Sequence, residues 1–117
     1  MNLYRIANSY IGKRLVGLVF NHMSGILPVK TLRETDTLVA FNHPEPSYRI
    51  HILLVPRRAV RNLGELNDGD RQFLQDLFSC VTSLVEEFEL ERAGYRLILN
   101  GGDYQDIPQL HFHLISE

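Results

Sequence analysis

Cysteine is nearly absent from the sequence, since Cys80 is the one cysteine among 117 residues. A single cysteine cannot form an internal disulfide, so the sequence excludes a small secreted fold held together by disulfides. It favours a reducing compartment, and we expect a cytoplasmic protein. An excess of positive charge is also missing, because the net charge is −2. We therefore expect no nucleic-acid partner, since no basic field attracts one.

A long hydrophobic run is missing as well. The apolar stretch Leu15–Phe20 is far shorter than the roughly 20 residues that cross a membrane. No small-residue cleavage site follows it, so it is not a signal sequence. Apolar residues instead recur at helical spacing, which predicts an amphipathic helix over residues 9–24, capped by Ser9 and ended by Gly25. We expect residues 1–25 to pack on the domain or on a second subunit, with a peripheral membrane role as the alternative.

The chain of 117 residues has the length and composition of one globular domain with a single core, and we expect that domain to span residues 26–117. A proline-containing segment at 26–32 predicts an edge strand. Further strands are predicted at 37–41, 48–55 and 95–100, and a fifth strand closes the chain. Because a long helix separates the third and fourth strands, the order predicts an α+β fold with an antiparallel, five-stranded sheet.

The long helix is predicted over Asn67–Arg92. Asn67 is a suitable N-terminal cap, and Gly94 lies just beyond the predicted end. An apolar stripe follows the helix for about five turns, which indicates that the helix packs against a core. The stripe comprises Phe73, Leu74, Leu77, Phe78, Val81, Leu84, Val85 and Phe88.

Polar and apolar residues alternate strictly over residues 109–114, which is the period of a strand with one face in a core. The apolar members are predicted to face the core, and Gln109, His111 and His113 to form a ladder on the opposite face. In the third predicted strand, His51 is predicted to share one face with Leu53 and Val55. Alternating polar residues occur on any half-solvated strand, but two histidines and an amide, with a third histidine upstream, make a candidate active site.

The C-terminal pattern resembles the signature of the histidine triad (HIT) nucleotide hydrolases and transferases. That signature is three histidines alternating with apolar residues, and here it is Gln109-x-His111-x-His113. The resemblance extends over residues 36–116. Besides the long helix, the segments that carry it are His51–Arg57, Leu97–Gly102 and Gln105–His113.

The resemblance implies nucleotidyl transfer at the α-phosphate of a nucleoside phosphoramidate or phosphoanhydride. His111 corresponds to the nucleophile, which would form a nucleotidyl-histidine intermediate. His113, His51 and Gln109 complete the implied catalytic set. The residues implied to contact the substrate are Asn100, Gln105, Asp106, Phe41 and His43. This mechanism requires no metal or other cofactor.

Four positions depart from the family pattern, and one of them is Ala59, which replaces another common histidine. Gln109 replaces the first histidine, Asp106 stands where serine or threonine usually lies beside the phosphate, and His43 replaces an acid that usually holds the ribose. Glu45 is a candidate to take the place of that acid. A carboxylate about 5 Å from a phosphate oxygen would cost roughly 3 kcal/mol at an effective dielectric constant near 20.

The resemblance further implies a homodimer and a purine nucleotide, or a related phosphate-containing small molecule, as the ligand. Two alternatives to the enzyme remain open. The first is a diverged binding protein with little catalytic turnover. The second treats His51, His111 and His113 as a metal site, because three histidines from two strands can hold zinc.

Overall fold

The computed structural model describes residues 30–117, and the predicted N-terminal helix and the boundary at residue 25 lie outside this part. The described part is an α+β fold in which one long helix accompanies a five-stranded antiparallel sheet, as predicted. Its elements are β1 (Thr31–Glu34), β2 (Leu38–Asn42), β3 (Ile50–Pro56), α1 (Arg71–Glu87), α2 (Leu90–Ala93), β4 (Arg96–Leu99) and β5 (Phe112–Ser116). Among these residues no helix is long and apolar enough to cross a membrane.

The sheet has the strand order β1-β2-β3-β5-β4, so the last strand of the chain lies inside the sheet, between β3 and β4. β1 is an edge strand that shares only Thr31 and Leu32 with the strand predicted at 26–32, and residues 26–29, which include Pro28, lie outside the described range. The period of two along each strand separates two apolar clusters. One lies with α1 and includes Ala40, Ile52, Leu54 and Leu114. The other comprises Val39, Phe41, Leu53, Val55 and Ile107.

The predicted cap Asn67 begins a 3-10 turn, Asp68–Asp70, which leads directly into α1 at Arg71. The side-chain oxygen of Asn67 accepts a hydrogen bond from the Gly69 backbone N–H at 2.8 Å, and the Asp70 carboxylate accepts one from the Asn67 N–H at 3.0 Å. This reciprocal pair is a capping box, and it satisfies two backbone donors that a helix start leaves free. The cap is therefore confirmed, with a short 3-10 turn before α1.

The prediction of one continuous helix to Arg92 is wrong. Glu89 has φ 55°, in the left-handed region, which an α-helix cannot include. The break separates α1 from the short α2, which ends before Gly94 at φ 95°. Gly94 therefore terminates the helical region where the sequence places the end, because glycine adopts positive φ without a steric penalty.

The predicted apolar stripe is narrower than expected. Leu74 and Phe78 are 38% and 60% exposed, so their assignment to the core is wrong. The two residues are four positions apart and share one row of the helix surface, turned away from the sheet. The stripe residues that are buried are Phe73, Leu77, Val81, Leu84 and Val85.

The C-terminal strand begins later than predicted. β5 spans Phe112–Ser116, whereas the alternation predicted a strand from Gln109. The reason lies in the preceding segment, where the Leu110 backbone N–H donates to the Val60 carbonyl at 2.7 Å instead of joining the sheet. The alternation of faces nevertheless continues through this segment, because Leu110 is buried in the helix-side cluster.

The other strand bounds differ slightly from the predictions. β3 begins at Ile50 rather than at Tyr48 and includes Pro56, which pairs with Leu38 at the end of the ladder. β4, Arg96–Leu99, is one residue shorter at each end than the strand predicted at 95–100. Such differences are ordinary at the ends of elements.

Candidate active site

β3 and β5 bring two histidines together on one face of the sheet. His51 is opposite Ile115 and His113 is opposite Leu53, so the two histidines are diagonal neighbours across the antiparallel pair. Their ring centroids are 5.2 Å apart. Nε2 of His51 lies 2.9 Å from Nδ1 of His113, which is a hydrogen bond between the two rings.

His111 lies immediately before β5 and is buried, with its ring centroid 4.9 Å from that of His113. Nδ1 of His111 is 2.7 Å from the backbone carbonyl oxygen of Gln109. Because a carbonyl only accepts hydrogen bonds, Nδ1 must carry the proton. In the neutral ring the lone pair is then on Nε2.

A chain of hydrogen bonds also determines where the protons of His51 and His113 lie. The Ser47 backbone N–H donates to Nδ1 of His51 at 3.1 Å, so the proton of the neutral His51 ring is on Nε2. His51 therefore donates to Nδ1 of His113, and the proton of His113 is on its Nε2. That Nε2 is buried and has no hydrogen-bond partner among residues 30–117. This N–H can therefore donate to an acceptor that does not belong to residues 30–117.

The two linked histidines are neutral near pH 7. Burial, with the nearby histidines His43 and His111 as smaller causes, lowers the pKa of His51 to about 4. Burial also lowers the pKa of His113 to about 3, and His111 and His51 add to the effect. His113, whose ring lies beside that of His111, thus acts as a neutral hydrogen-bond donor rather than as a cation.

His43 follows β2 and joins the same cluster. Its ring stacks on that of His51, with centroids 4.4 Å apart and an interplanar angle of 29°. Nδ1 of His43 accepts a hydrogen bond from the Glu45 backbone N–H at 3.0 Å. Burial lowers the pKa of His43, while Asp106 opposes that shift.

The backbone donors of the loop at 43–47 were not predicted from the sequence. Glu45 and Ser47 each direct a backbone N–H to Nδ1 of a histidine ring. A signal for this was present, since Pro44 and Pro46 have no N–H and leave donors only at the alternating positions. The sequence analysis treated this segment only as a loop.

Asp106 places a carboxylate beside His111. Its Oδ1 atom lies 3.5 Å from Nε2 of His111, which is too long for a good hydrogen bond. Oδ1 is buried and has no hydrogen-bond partner among the described residues. The interaction is therefore mainly electrostatic, and the contact with His111 lowers the pKa of Asp106 even though burial opposes this.

Gln109 contributes to the site through its backbone. Its carbonyl oxygen holds His111, while its side-chain nitrogen donates to the Leu110 carbonyl at 3.4 Å. Gln109 also precedes β5 rather than lying in it. The predicted ladder included the side chain of Gln109 beside those of His111 and His113. At this position the structure has a contact between the Gln109 backbone carbonyl and His111 instead.

The side chain of Gln105 binds backbone carbonyls of the protein in this conformation. Its side-chain nitrogen donates to the backbone carbonyls of Arg61 and Ile107, the latter at 2.9 Å. An amide nitrogen has two hydrogens, so both donors are in use. The contact with phosphate implied for Gln105 would require at least one of these bonds to break. The bond to Arg61 instead holds the loop at 101–106, which includes the 3-10 turn Gly102–Tyr104.

Asn100 and Phe41 differ in their access to the histidines. Asn100 follows the last pair of the β4–β5 ladder, Leu99 with Phe112, and so lies at the end of the sheet where His111 is found. Phe41 is 2% exposed and belongs to the cluster on the histidine-bearing face. In this conformation it supports that face from within.

The zinc alternative does not fit the geometry. Nε2 of His51 and Nδ1 of His113 bind each other, so these two nitrogens are not free for a common ion. Within residues 30–117 no group of three or more histidine, cysteine, aspartate or glutamate side chains is arranged to hold a metal.

Comparison with known proteins places this chain in a family. A model described as the HIT domain matches residues 25–117. The chain belongs to the HIT domain family. An uncharacterized HIT-like protein of Buchnera aphidicola is 32% identical over 96 residues, which cover 80% of this chain and 86% of that protein.

Solved structures of HIT proteins have the same fold. A HIT family hydrolase from Clostridium thermocellum is 28% identical with a TM-score of 0.75, covering 86% of this chain and 90% of that one. A histidine triad nucleotide-binding protein from Candida albicans is 25% identical with a TM-score of 0.69, covering 80% of this chain and 69% of that one. The described HIT domain therefore has a hydrolase-like fold with its histidines gathered on one sheet face.

Proposed function

We propose that this HIT domain protein is a nucleotide hydrolase or nucleotidyl transferase that acts at the α-phosphate of a nucleoside phosphoramidate or phosphoanhydride. The observation that carries the proposal is the 2.7 Å contact between Nδ1 of His111 and the Gln109 carbonyl. It holds the proton on Nδ1 and leaves a lone pair on Nε2, the atom that must attack phosphorus. The similar structures named as a hydrolase and as a nucleotide-binding protein support this chemistry.

In the first step the lone pair of His111 Nε2 forms a bond to the α-phosphorus. The bond from phosphorus to the leaving group breaks, and its electron pair goes with the leaving group. An anhydride releases a phosphate anion, and a phosphoramidate releases an amine after its nitrogen has gained a proton from solvent. The product on the protein is a nucleotidyl-histidine, so one difficult displacement becomes two easier ones.

In the second step water or another acceptor attacks the same phosphorus. The phosphorus–nitrogen bond breaks, its electron pair returns to Nε2 of His111, and the attacking water loses a proton to solvent. The imidazole is thereby regenerated, and a nucleoside monophosphate is released when water is the acceptor.

His113 has the position and protonation to assist both steps. Its Nε2–H is buried and unpartnered within the described residues. A donor of this kind stabilises negative charge that develops on the phosphoryl oxygens, and it needs no reorganisation because His51 already holds the ring. His51 is therefore a positioning residue, and Ser47 orients His51 in turn.

Asp106 favours a second candidate, a diverged nucleotide-binding protein with little turnover. A protonated His111 ring would donate both to the Gln109 carbonyl and toward the Asp106 carboxylate. In that state no lone pair remains on Nε2 for attack. The 3.5 Å separation from Asp106 is thus the one observation that argues for binding without chemistry.

The proposal includes a cytoplasmic homodimer. Leu74 and Phe78 support the dimer, because they expose apolar surface side by side on α1. The single buried Cys80 supports the reducing compartment.

Trapping the covalent intermediate tests the function. The wild-type protein is mixed with α-phosphate-labelled adenosine phosphoramidate or dinucleoside polyphosphate and quenched in alkaline denaturant, in which a phosphorus–nitrogen bond survives. We expect labelled protein from the wild type and from a Gln109→Ala control, which keeps the backbone carbonyl, and none from His111→Asn. Label on His111→Asn would remove His111 from the mechanism. Unlabelled wild type that still binds AMP in calorimetry would favour the binding protein.

A further inference from the structure

The Asp106 carboxylate has His111 as its nearest basic neighbour and accepts no hydrogen bond at Oδ1 from the described residues. Oδ1 is buried and unpartnered among residues 30–117, and it lies 3.5 Å from Nε2 of His111. The side chain as a whole is 28% exposed, so the charge is only partly screened by solvent. A phosphorus bonded to Nε2 would bring its oxygens close to this charge.

The groups around Asp106 are mainly histidines. His111 contacts it, and His113 and His43 interact with it electrostatically. Burial keeps the pKa values of His43, His51 and His113 below the ordinary value, so these rings do not supply positive charge near pH 7. The acidic Glu45 also faces His43. Apart from its 3.5 Å contact with Nε2 of His111, the negative charge of Asp106 is therefore weakly compensated by the groups around it.

We propose that Asp106 makes the site select phosphate groups by their charge, accepting a phosphorus with one ionised oxygen and rejecting a phosphate monoester with two. The inference rests on the proposed function and names a residue that determines specificity within it. A substrate α-phosphate and the nucleotidyl-histidine each have one ionised oxygen on phosphorus. Hydrolysis creates a monoester, whose second ionisation has a pKa of about 6.

The consequence is that hydrolysis lowers the affinity of the site for its own product. The second negative charge appears only when the bond to His111 has broken, and it appears beside Asp106. One added unit charge about 5 Å from a carboxylate weakens binding by at most a few hundredfold at an effective dielectric constant near 20. Because the carboxylate is partly in solvent, we expect about tenfold.

Calorimetry with two nucleotides of different charge tests the proposal. The probes are AMP and its methyl ester, adenosine 5′-(methyl phosphate), and the same pair made with guanosine. At pH 8 the monoester has two charges on phosphorus and the methyl ester has one. We expect the wild type to bind the methyl ester about tenfold more tightly than the monoester. At pH 5.5, where most of the monoester has one charge, the ratio should fall to about twofold.

Two variants isolate the charge of Asp106. Asp106→Asn keeps the shape without the charge, and its ratio at pH 8 should fall to about twofold through tighter binding of AMP. Asp106→Glu keeps a carboxylate and should retain most of the discrimination. The same ratio in the wild type and in Asp106→Asn would overturn this inference alone. A wild type that binds none of the four nucleotides would overturn the proposed function and this inference together.

Discussion

Nε2 of His51 and Nδ1 of His113 lie 2.9 Å apart, although 62 positions separate the residues in the chain. The contact exists because β3 and β5 are adjacent and their register sets the two residues diagonally across the pair. Together with the Ser47 N–H it determines which nitrogen of each ring carries a proton. The pairing of two strands thus decides the chemistry offered at His113.

Replacement of His111 should abolish turnover and spare binding. We expect His111→Asn to lower the turnover number by at least about a thousandfold, since a nucleophile acts on the transition state far more than on ground-state binding. Hydrolysis of an adenosine phosphoramidate and calorimetric binding of AMP are the two measurements. Turnover within tenfold of the wild type would rule out His111 as the nucleophile.

The side chain of Gln109 should matter little. Its backbone carbonyl makes the contact with His111, so Gln109→Ala and Gln109→His should both keep turnover within about fivefold of the wild type. Steady-state rates of the two variants check this. A Gln109→His protein many times faster than the wild type would show instead that a side chain at this position takes part in the reaction.

Loss of His51 should disturb the proton position on His113. In the wild type, nitrogen NMR of labelled histidine should show Nδ1 of His113 unprotonated and Nε2 protonated, because His51 donates to Nδ1. His51→Phe removes that donor, so His113 should become a mixture of the two neutral forms. We expect turnover to fall about 10- to 100-fold with little change in AMP affinity. An unchanged spectrum of His113 would contradict the hydrogen-bond chain.

Mild acid should destabilise the protein through its buried histidines. The pKa values in the folded state are about 4 for His51 and about 3 for His113, below the ordinary value of 6.5. The unfolded chain therefore binds more protons below pH 6.5, and the free energy of unfolding falls as pH falls through this window. Each histidine contributes up to about 1.4 kcal/mol per pH unit.

Urea unfolding at pH 7 and pH 4.5 measures this dependence. The lowered carboxyl pKa values of Asp70, Asp76 and Asp106 confine their effect to lower pH, so the interval reports mainly on histidines. A His113→Gln protein should lose less stability over the same interval. Equal free energies of unfolding at the two pH values in the wild type would show that the histidines are not held neutral by the fold.

The exposed apolar surface of α1 should mediate a homodimer. Phe78 is 60% exposed and lies beside Leu74, a surface that a partner copy would cover. We expect light scattering at tens of micromolar to report a dimer, and Phe78→Arg to shift it to a monomer. Thr82→Arg, on the next turn of the same face, should have a similar effect, whereas Glu91→Gln on α2, which changes the net charge by the same amount, serves as a control. A monomeric wild type would contradict the prediction.

Features that depend on neighbours in the chain could be predicted from the sequence. The cap at Asn67 and the glycine at Gly94 lie where the sequence places them, because both follow from local backbone requirements. The break at Glu89 was missed, since no glycine or proline marks it. The exposure of Phe78 was missed too, because an apolar residue at the margin of a stripe does not reveal how far the sheet extends beneath it.

The sequence by itself predicted that His111 and His113 share one face, because alternation follows from the extended backbone alone. The pairing of β3 with β5 brings His51 to the same face. Only the tertiary structure decided what those rings bind. The bond from His51 to His113 depends on strand register, and the diversion of Gln105 to Arg61 depends on a loop packing against a distant segment. Local periodicity is set by adjacent residues, whereas hydrogen-bond partners are set by the packing of segments far apart in the chain.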